Sequence, residues 1–372
     1  MIYLDSAATS LLKPPSVASA VYRAIQSCAT PGRGTHAAAM RASDVALSCR
    51  EEAAALFHMR EPEKVVFTMN ATHGLNIAIR SLVPPGGRVL ISGWEHNAVL
   101  RPLYALGAEI EVAASPLFDP EAALRAFREK LGGQCAVICS HVSNVFGFIL
   151  PVEEIAALCR ERGVPMIIDA SQSAGVLDLD FPATGAAFCA MPGHKGLLGP
   201  QGTGLLLCAG SAEPLLTGGT GGRSESHTMP EELPDRLEAG TQNICGAAGL
   251  LAGLRAVRAM GPEGVRRREQ PIFAFLRRGL QSLPGLRVFA AETAGVQTAV
   301  LSVVPESMSC ETMADALGRA GIAVRAGLHC APLAHTTAGT LATGTLRLSL
   351  SPYNTRREME RCVAAMEKIL KN

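Results

Sequence analysis

The chain has 372 residues, 34 of them basic and 33 acidic for a net charge of +1, with 48% hydrophobic and 4% aromatic content. That length gives room for two subdomains, and apolar content drawn from Ala, Leu, Val and Ile suits an α/β enzyme. Balanced charge without a block of one sign excludes the electrostatic footprint of a nucleic-acid or anionic-membrane binder.

The opening MIYLDSAATS lacks the basic region, apolar run and cleavage site of a secretion signal. No apolar stretch reaches membrane-spanning length without a charge, Pro or Gly-rich break. Eleven cysteines in such a chain are expected as free thiols in a reducing cytoplasm. No C-x-x-C occurs, and Cys135 and Cys139 read as strand interior, so no metal site is expected.

From about residue 65 short β-branched runs alternate with amphipathic stretches. KVVFT reads as a strand and ATHGLNIAIRSL as the helix after it; RVLIS is the next strand, followed by the helix NAVLRPLYALG. EIEVAA, a helix over 120–131 and the strand CAVICSHVS come next, then the glycine-closed helix VEEIAALCRERG and the strand PMIIDAS. This alternation predicts βαβ units and a mostly parallel sheet. GLLGPQGTGLLLC adds a Gly-rich, hairpin-like turn, residues 215–233 a long loop of the kind found at functional sites or subunit contacts, and 249–260 a long helix leaving the domain. Beyond it LRVFAA, TAVLSVV, MADALGRAG, IAVRAG, TLRLSLS and RREMERCVAAMEKIL make a smaller α+β unit. The expected organisation is a large α/β domain over 13–250 and a small α+β domain over 251–372 that residues 1–12 join.

Several strand ends carry chemistry. Asp169 ends a buried strand at the carboxyl edge where open α/β sheets bind ligands; it suits a cationic ring nitrogen, a metal or a ribose hydroxyl, or else a helix N-cap. Lys195 follows 26 residues later among small and apolar neighbours, where burial favours a Schiff-base lysine. A Schiff-base lysine with an acidic partner for a pyridine nitrogen is what pyridoxal phosphate requires. FTMNATHG places free N–H groups at a helix start, with the Thr72 hydroxyl beside them, as an anion seat or an ordinary cap. His96 could stack on a flat cofactor or cap a helix. Asn144 and Gln172 could bond the cofactor's phenolic oxygen, or Asn144 could simply form a turn. Neither a Walker A pattern nor a strand–GxGxxG–helix is present.

Taken in order, LDSAATS, EHNAVLRPL, SHVSNVFG, IIDASQSAG, GHKG, LEAGTQN and RAGLHCAPLAH resemble the cysteine desulfurases. These form a branch of the fold-type I, class V aminotransferases that includes selenocysteine lyases. The resemblance spans nearly the whole chain and implies a fold-type I transferase with a mostly parallel central sheet flanked by helices and a small C-terminal α+β domain. It implies that Lys195 holds pyridoxal 5'-phosphate and moves the substrate's protons, that Asp169 pairs with the pyridine nitrogen and that His96 stacks on the ring. Asn144 and Gln172 match side chains near the phenolic oxygen; Ala71, Thr72 and His194 match the phosphate seat. Thr241 matches a phosphate ligand donated by a neighbouring subunit, which implies a homodimer. Arg347 matches the clamp on the substrate carboxylate, with Arg325 and Ala8 beside the substrate, and Cys330 matches the nucleophile.

The implied reaction converts L-cysteine to L-alanine and leaves the sulfur on Cys330 as a persulfide, for a sulfur-acceptor protein or small thiol to take. Thiolate is the attacking species, which His329 and Arg325, close in sequence, could favour. Two other readings stay open: selenocysteine cleavage, and transamination of a small amino acid with Cys330 incidental. Three departures stand out. Pro192 replaces a usual Ser or Thr phosphate ligand, Leu328 replaces a second histidine before the HC pair, and the Cys330 segment is short, which points to a sheltered persulfide.

Overall fold

A computed structural model describes residues 1–32, 34–222 and 225–371. In chain order the first part comprises β1 (Ile2–Tyr3), α1 (Pro15–Ser27), α2 (Ala37–Leu56), β2 (Val65–Thr68), α3 (Ala71–Leu82), β3 (Arg88–Ser92) and α4 (Asn97–Ala105). It continues with β4 (Glu109–Ala113), α5 (Pro120–Lys130), β5 (Ala136–Ser140), α6 (Val152–Glu161), β6 (Met166–Asp169), α7 (Phe181–Thr184), β7 (Phe188–Pro192), β8 (Gly204–Cys208) and α8 (Ile244–Met260). The remainder is α9 (Pro262–Gln281), β9 (Leu286–Phe289), β10 (Val300–Pro305), α10 (Cys310–Arg319), β11 (Ile322–Ala323), β12 (Arg325–Gly327), α11 (Pro332–Thr337), β13 (Thr345–Ser349) and α12 (Arg356–Leu370).

Seven strands form the main sheet in the order β2-β8-β7-β6-β5-β3-β4. Only β8 runs against its neighbours; the other strands are mutually parallel. Every residue of β5, β6, β7 and β8 is buried, which is why these strands read as continuous apolar runs rather than alternating ones. Because β2, β3, β5, β6 and β7 share a direction, the residues that follow each of them emerge along one edge.

Helices α1 and α2 pack on α8. The buried face of α2 is built largely from Ala39, Ala42, Ala53 and Ala54, a pattern too weakly apolar to stand out by periodicity. Helix α8 runs so close to the 197–200 turn that a Cβ on Gly253 would lie 2.4 Å from the Leu197 carbonyl oxygen. At Gly261 (φ +69°) the chain bends by 75° into α9. We take the large unit to end at that bend, with α8 inside it.

The second unit holds the antiparallel sheet β12-β13-β10-β9 and the two-stranded pair β1-β11. IAVRAG, one stretch of the expected smaller unit, is divided between two sheets: Ile322–Ala323 pairs in parallel with β1, and Arg325–Gly327 pairs antiparallel with β13. The first residues thus join this unit through β1. A separate apolar core around Met313, Leu346, Leu348, Met359 and Cys362 supports it, and Thr355 and Glu358 start α12 with a reciprocal capping box. Among the described residues no single helix is long and apolar enough to cross a bilayer, and no cluster of three or more His, Cys, Asp or Glu could hold a metal.

Candidate active site

The shared strand edge gathers the predicted residues of the large unit. Asp169 is the last residue of β6, and Ser140, its Cα partner on β5, leads to Asn144. The loop after β3 ends at His96, the one after β7 carries His194 and Lys195, and the one after β2 opens α3 at Ala71. Asp169 is buried and accepts from the Ser171 N–H at 2.9 Å. His96 caps α4, its Nδ1 accepting from the Ala98 N–H at 3.0 Å. Burial lowers the Lys195 pKa to about 8, an effect that Asp169 opposes while Arg347 and Arg325 add to it. Burial likewise takes His96 down to about 4 against the pull of Asp169. At neutral pH the imidazole is therefore uncharged, as stacking on a cationic ring requires.

Two features support this edge, the first of them missed in the sequence. Glu95 is fully buried; it accepts from the Ser140 N–H at 2.8 Å and the Ser140 hydroxyl at 2.7 Å, and also from the Ser92 hydroxyl. Burial raises its pKa to about 7, opposed by those hydrogen bonds, with Asp169 adding to the rise. The second is the segment 5–13. Ser10 N–H donates to the His194 carbonyl at 3.0 Å and the Ser10 hydroxyl to the Lys195 carbonyl at 2.8 Å. Thr9 Oγ1 lies 3.0 Å from His194 Nδ1, and the Gln172 amide donates to the Ala7 carbonyl at 2.9 Å. Ala8 is tied into a turn by its N–H to the Asp5 carbonyl at 3.0 Å. The strap is thus tied to the backbone of His194 and Lys195 and to the Gln172 side chain. The run of small and hydroxyl residues in LDSAATS carried that signal, but its partners here lie 165 to 185 positions away.

The small unit supplies the opposite wall. Arg347 lies on β13, 2% exposed, and donates from Nη2 to Asp5 Oδ1 at 2.8 Å and from Nη1 to the Asn144 carbonyl at 2.9 Å. Its Nε is buried without a partner among the described residues. Arg325 is its Cα partner across β12–β13 and is exposed. Burial lowers the Arg347 pKa, opposed by Asp5.

Cys330 follows β12 and is the one exposed thiol among the eleven cysteines, all of them free. His329 and Cys330 both adopt left-handed backbone, φ +48° and +56°, a conformation that costs L-residues about 1–2 kcal/mol each. Hydrogen bonds from the large unit hold this tip: Asn97 N–H to the Cys330 carbonyl and Asn144 Nδ2 to the His329 carbonyl, both at 2.8 Å. Cys330 is exposed in the single protomer. His329 does not serve it. Its ring turns inward, Nε2 donating to the Thr345 carbonyl at 3.0 Å, stacked 5.9 Å from His335. Burial drives its pKa down to about 2, with Arg347 lowering it further.

The residues fit the phosphorylated pyridine aldehyde that the resemblance implies. Asn70 Oδ1 caps the His73 N–H at 2.9 Å, while the Ala71 and Thr72 N–H groups at the start of the 12-residue α3 have no partner among the described residues. The Thr72 hydroxyl is exposed beside them. Such N–H groups are an anion seat. The Lys195 ammonium has no hydrogen-bond partner among the described residues, and Asp169 and His96 are its charged and aromatic neighbours. Burial, with Lys195 and Lys13 adding to it, lowers the His194 pKa to about 4. Pro192 is buried in β7 opposite Gly204 and adds no donor. Thr241 is exposed and lines a cleft with Thr68, His73 and Thr203, not the cavity that holds Lys195 and Gln172. The far end of that cavity carries Glu269 of α9, 5% exposed, its pKa raised by burial to about 8 with Arg266 opposing.

Residues 2–362 match the model of the class-V aminotransferases. A probable cysteine desulfurase of Xylella fastidiosa is 34% identical over all of this chain and 91% of its own length. One from Methanothermobacter thermautotrophicus is 31% identical over 99% and 94%. Among solved structures, a cysteine desulfurase from Thermococcus onnurineus, 30% identical, superposes with a TM-score of 0.91 over 100% of this chain and 94% of that one. Another from Escherichia coli, 26% identical, gives 0.85 over 99% and 94%.

Proposed function

The chain belongs to the cysteine desulfurase branch of the class-V aminotransferase family, and from that premise we propose that it takes sulfur from L-cysteine onto Cys330 and releases L-alanine. One observation carries the reading: of eleven thiols only Cys330 is exposed, on a strained tip bonded through Asn97 and Asn144 to the strand edge that carries Lys195 and Asp169.

Pyridoxal phosphate, when bound, supplies an electron sink for bonds at the substrate's α and β carbons. Lys195 would hold it, Asp169 and His96 would face its ring, and the open N–H groups of Ala71 and Thr72 would take its phosphate. Asn144 and Gln172 would lie beside its phenolic oxygen. A lysine titrating near pH 8 passes protons at neutral pH far more readily than an ordinary one. Arg347 grips the substrate carboxylate, with Arg325 and Ala8 beside it, and so aims the sulfur at Cys330. The Cys330 thiolate then forms an S–S bond to that sulfur as the C–S bond breaks. The electron pair stays with the three-carbon fragment, which leaves as alanine after protonation. A thiol acceptor removes the sulfur and restores Cys330.

The exposed Thr241 and the loop before it suit a homodimer in which each protomer completes its partner's phosphate seat; residues 223 and 224 of that loop lie outside the described ones. Eleven unpaired cysteines suit a reducing compartment such as the cytoplasm. The test compares wild type with Cys330→Ala, measuring alanine and sulfide from L-cysteine under a thiol reductant. Both products from the wild type and neither from the variant are expected; alanine at equal rates from both would refute the role of Cys330.

A further inference from the structure

Before substrate arrives, Arg347 already holds a carboxylate. Its side chain is 2% exposed, and the group closing it off is Asp5, whose Oδ1 accepts from Nη2 at 2.8 Å. This contact is single-pronged. Asp5 Oδ2 has no partner among the described residues, Arg347 Nη1 is turned to the Asn144 carbonyl at 2.9 Å, and Nε is buried and unpaired. Arginine and carboxylate pair best through two parallel hydrogen bonds, so the guanidinium is occupied but not saturated. The surrounding charge matters as well. Arg325 is in cross-strand register with Arg347, and Lys195 is close enough for its pKa to feel both arginines. Without an anion Arg347 would be a buried cation facing other cations, an arrangement proteins tolerate poorly. Asp5 itself sits at the junction of a two-residue strand and the strap that bridges both units, its backbone held against Ser349 so that the carboxylate is presented to Arg347.

We propose that Asp5 is a carboxylate placeholder on Arg347, which the carboxylate of the incoming amino acid displaces or crowds, so that Asp5 sets substrate affinity. This rests on the reading that Arg347 receives the substrate carboxylate. Two consequences are specific. Neutralising Asp5 tightens binding, because the free enzyme loses its counter-ion while the bound one gains the substrate's. The effect is confined to ligands that carry a carboxylate.

The test titrates the cofactor-loaded enzyme with L-alanine and with L-alaninamide, following the cofactor's absorbance. Asp5→Asn is expected to bind alanine roughly tenfold more tightly than wild type (a tenfold change is about 1.4 kcal/mol) and alaninamide equally well. Asp5→Glu, which keeps the charge, is expected to stay near wild type. If the Asn variant does not fold, Asp5→Ser carries the same expectation. Alanine bound no more tightly by the neutral variants, or alaninamide tightened by the same factor, would overturn the inference and make Asp5 a support that orients Arg347. Arg347→Lys separates the two levels. If it shifts alanine and alaninamide alike, Arg347 does not hold the carboxylate, and the underlying reading fails with this one.

Discussion

Asp169, Asn144, His96 and Lys195 each stand at or just past the end of a buried parallel strand, so the register of the main sheet spaces them. Arg347, Arg325 and Cys330 sit on an antiparallel sheet with its own core, and meet the first group through Asn97, Asn144 and the 5–13 strap. The contrast separates what is set by the core from what is set by a few hydrogen bonds. The strand edge cannot shift without repacking fully buried strands, whereas the Cys330 tip can be moved by removing one amide.

That contrast can be broken at its rigid end first. Lys195→Ala is expected to lower desulfuration of L-cysteine by at least ~10³-fold. In the cofactor-free protein Lys195 also leaves a pH signature. Its folded pKa of about 8 lies below the ordinary lysine value of 10.5, so the unfolded chain holds its proton longer and stability rises with pH across that window. Urea unfolding at pH 8 and pH 10 should show the rise in wild type and its absence in the variant. The flexible end predicts a different phenotype. Asn144→Ala frees the His329 carbonyl and is expected to cut kcat/KM by about 10–100-fold while the protein stays yellow. Loss of cofactor would mean that the two halves are not separable. An effect on stability rather than turnover sharpens the comparison away from the chemistry. Glu269 is an acid whose folded pKa, about 8, lies above 4.5, so its contribution is present below pH 4.5 and lost as pH rises to 8. Glu269→Gln should remove that slope and gain roughly 2–4 kcal/mol over wild type at pH 8, read by thermal melts across the range.

Asp169, Asn144 and His96 were legible because each follows a strand that announces itself as a short apolar run with β-branched residues, whereas the strand before Lys195 (FCAMP) has none and went unread. Asp169 after MII and Lys195 in GHKG needed no long-range information. The helices α1, α2 and α9 went unread: α2 buries alanines, and α9 carries seven charged residues within Pro262–Gln281. The division of IAVRAG between two sheets was also hidden, since nothing in six residues reports which partner strand each will meet. Tertiary context likewise decided the fate of His329. Its place beside Cys330 suggested help for the thiol, but the left-handed backbone turns its ring toward Thr345. Asp5 and Glu95 were passed over because a carboxylate's partner is visible only once the chain has folded.

The strap has a consequence for how the molecule comes into being. Its Ala7 N–H is bonded to the Ser349 hydroxyl, 342 positions later, and Asp5 waits as long for Arg347. During synthesis from the N-terminus the Ala7 N–H and the Asp5 carboxylate therefore wait until all but the last helix has been made, although Ala7, Thr9 and Ser10 meet Gln172, His194 and Lys195 about half a chain earlier. Contacts this distant in sequence are the slowest to form. The main sheet can assemble early, on its own core, while the pocket for the amino acid is finished among the last events of translation. A chain stopped short of β13 would own its lysine and its aspartate yet have no wall to set against them.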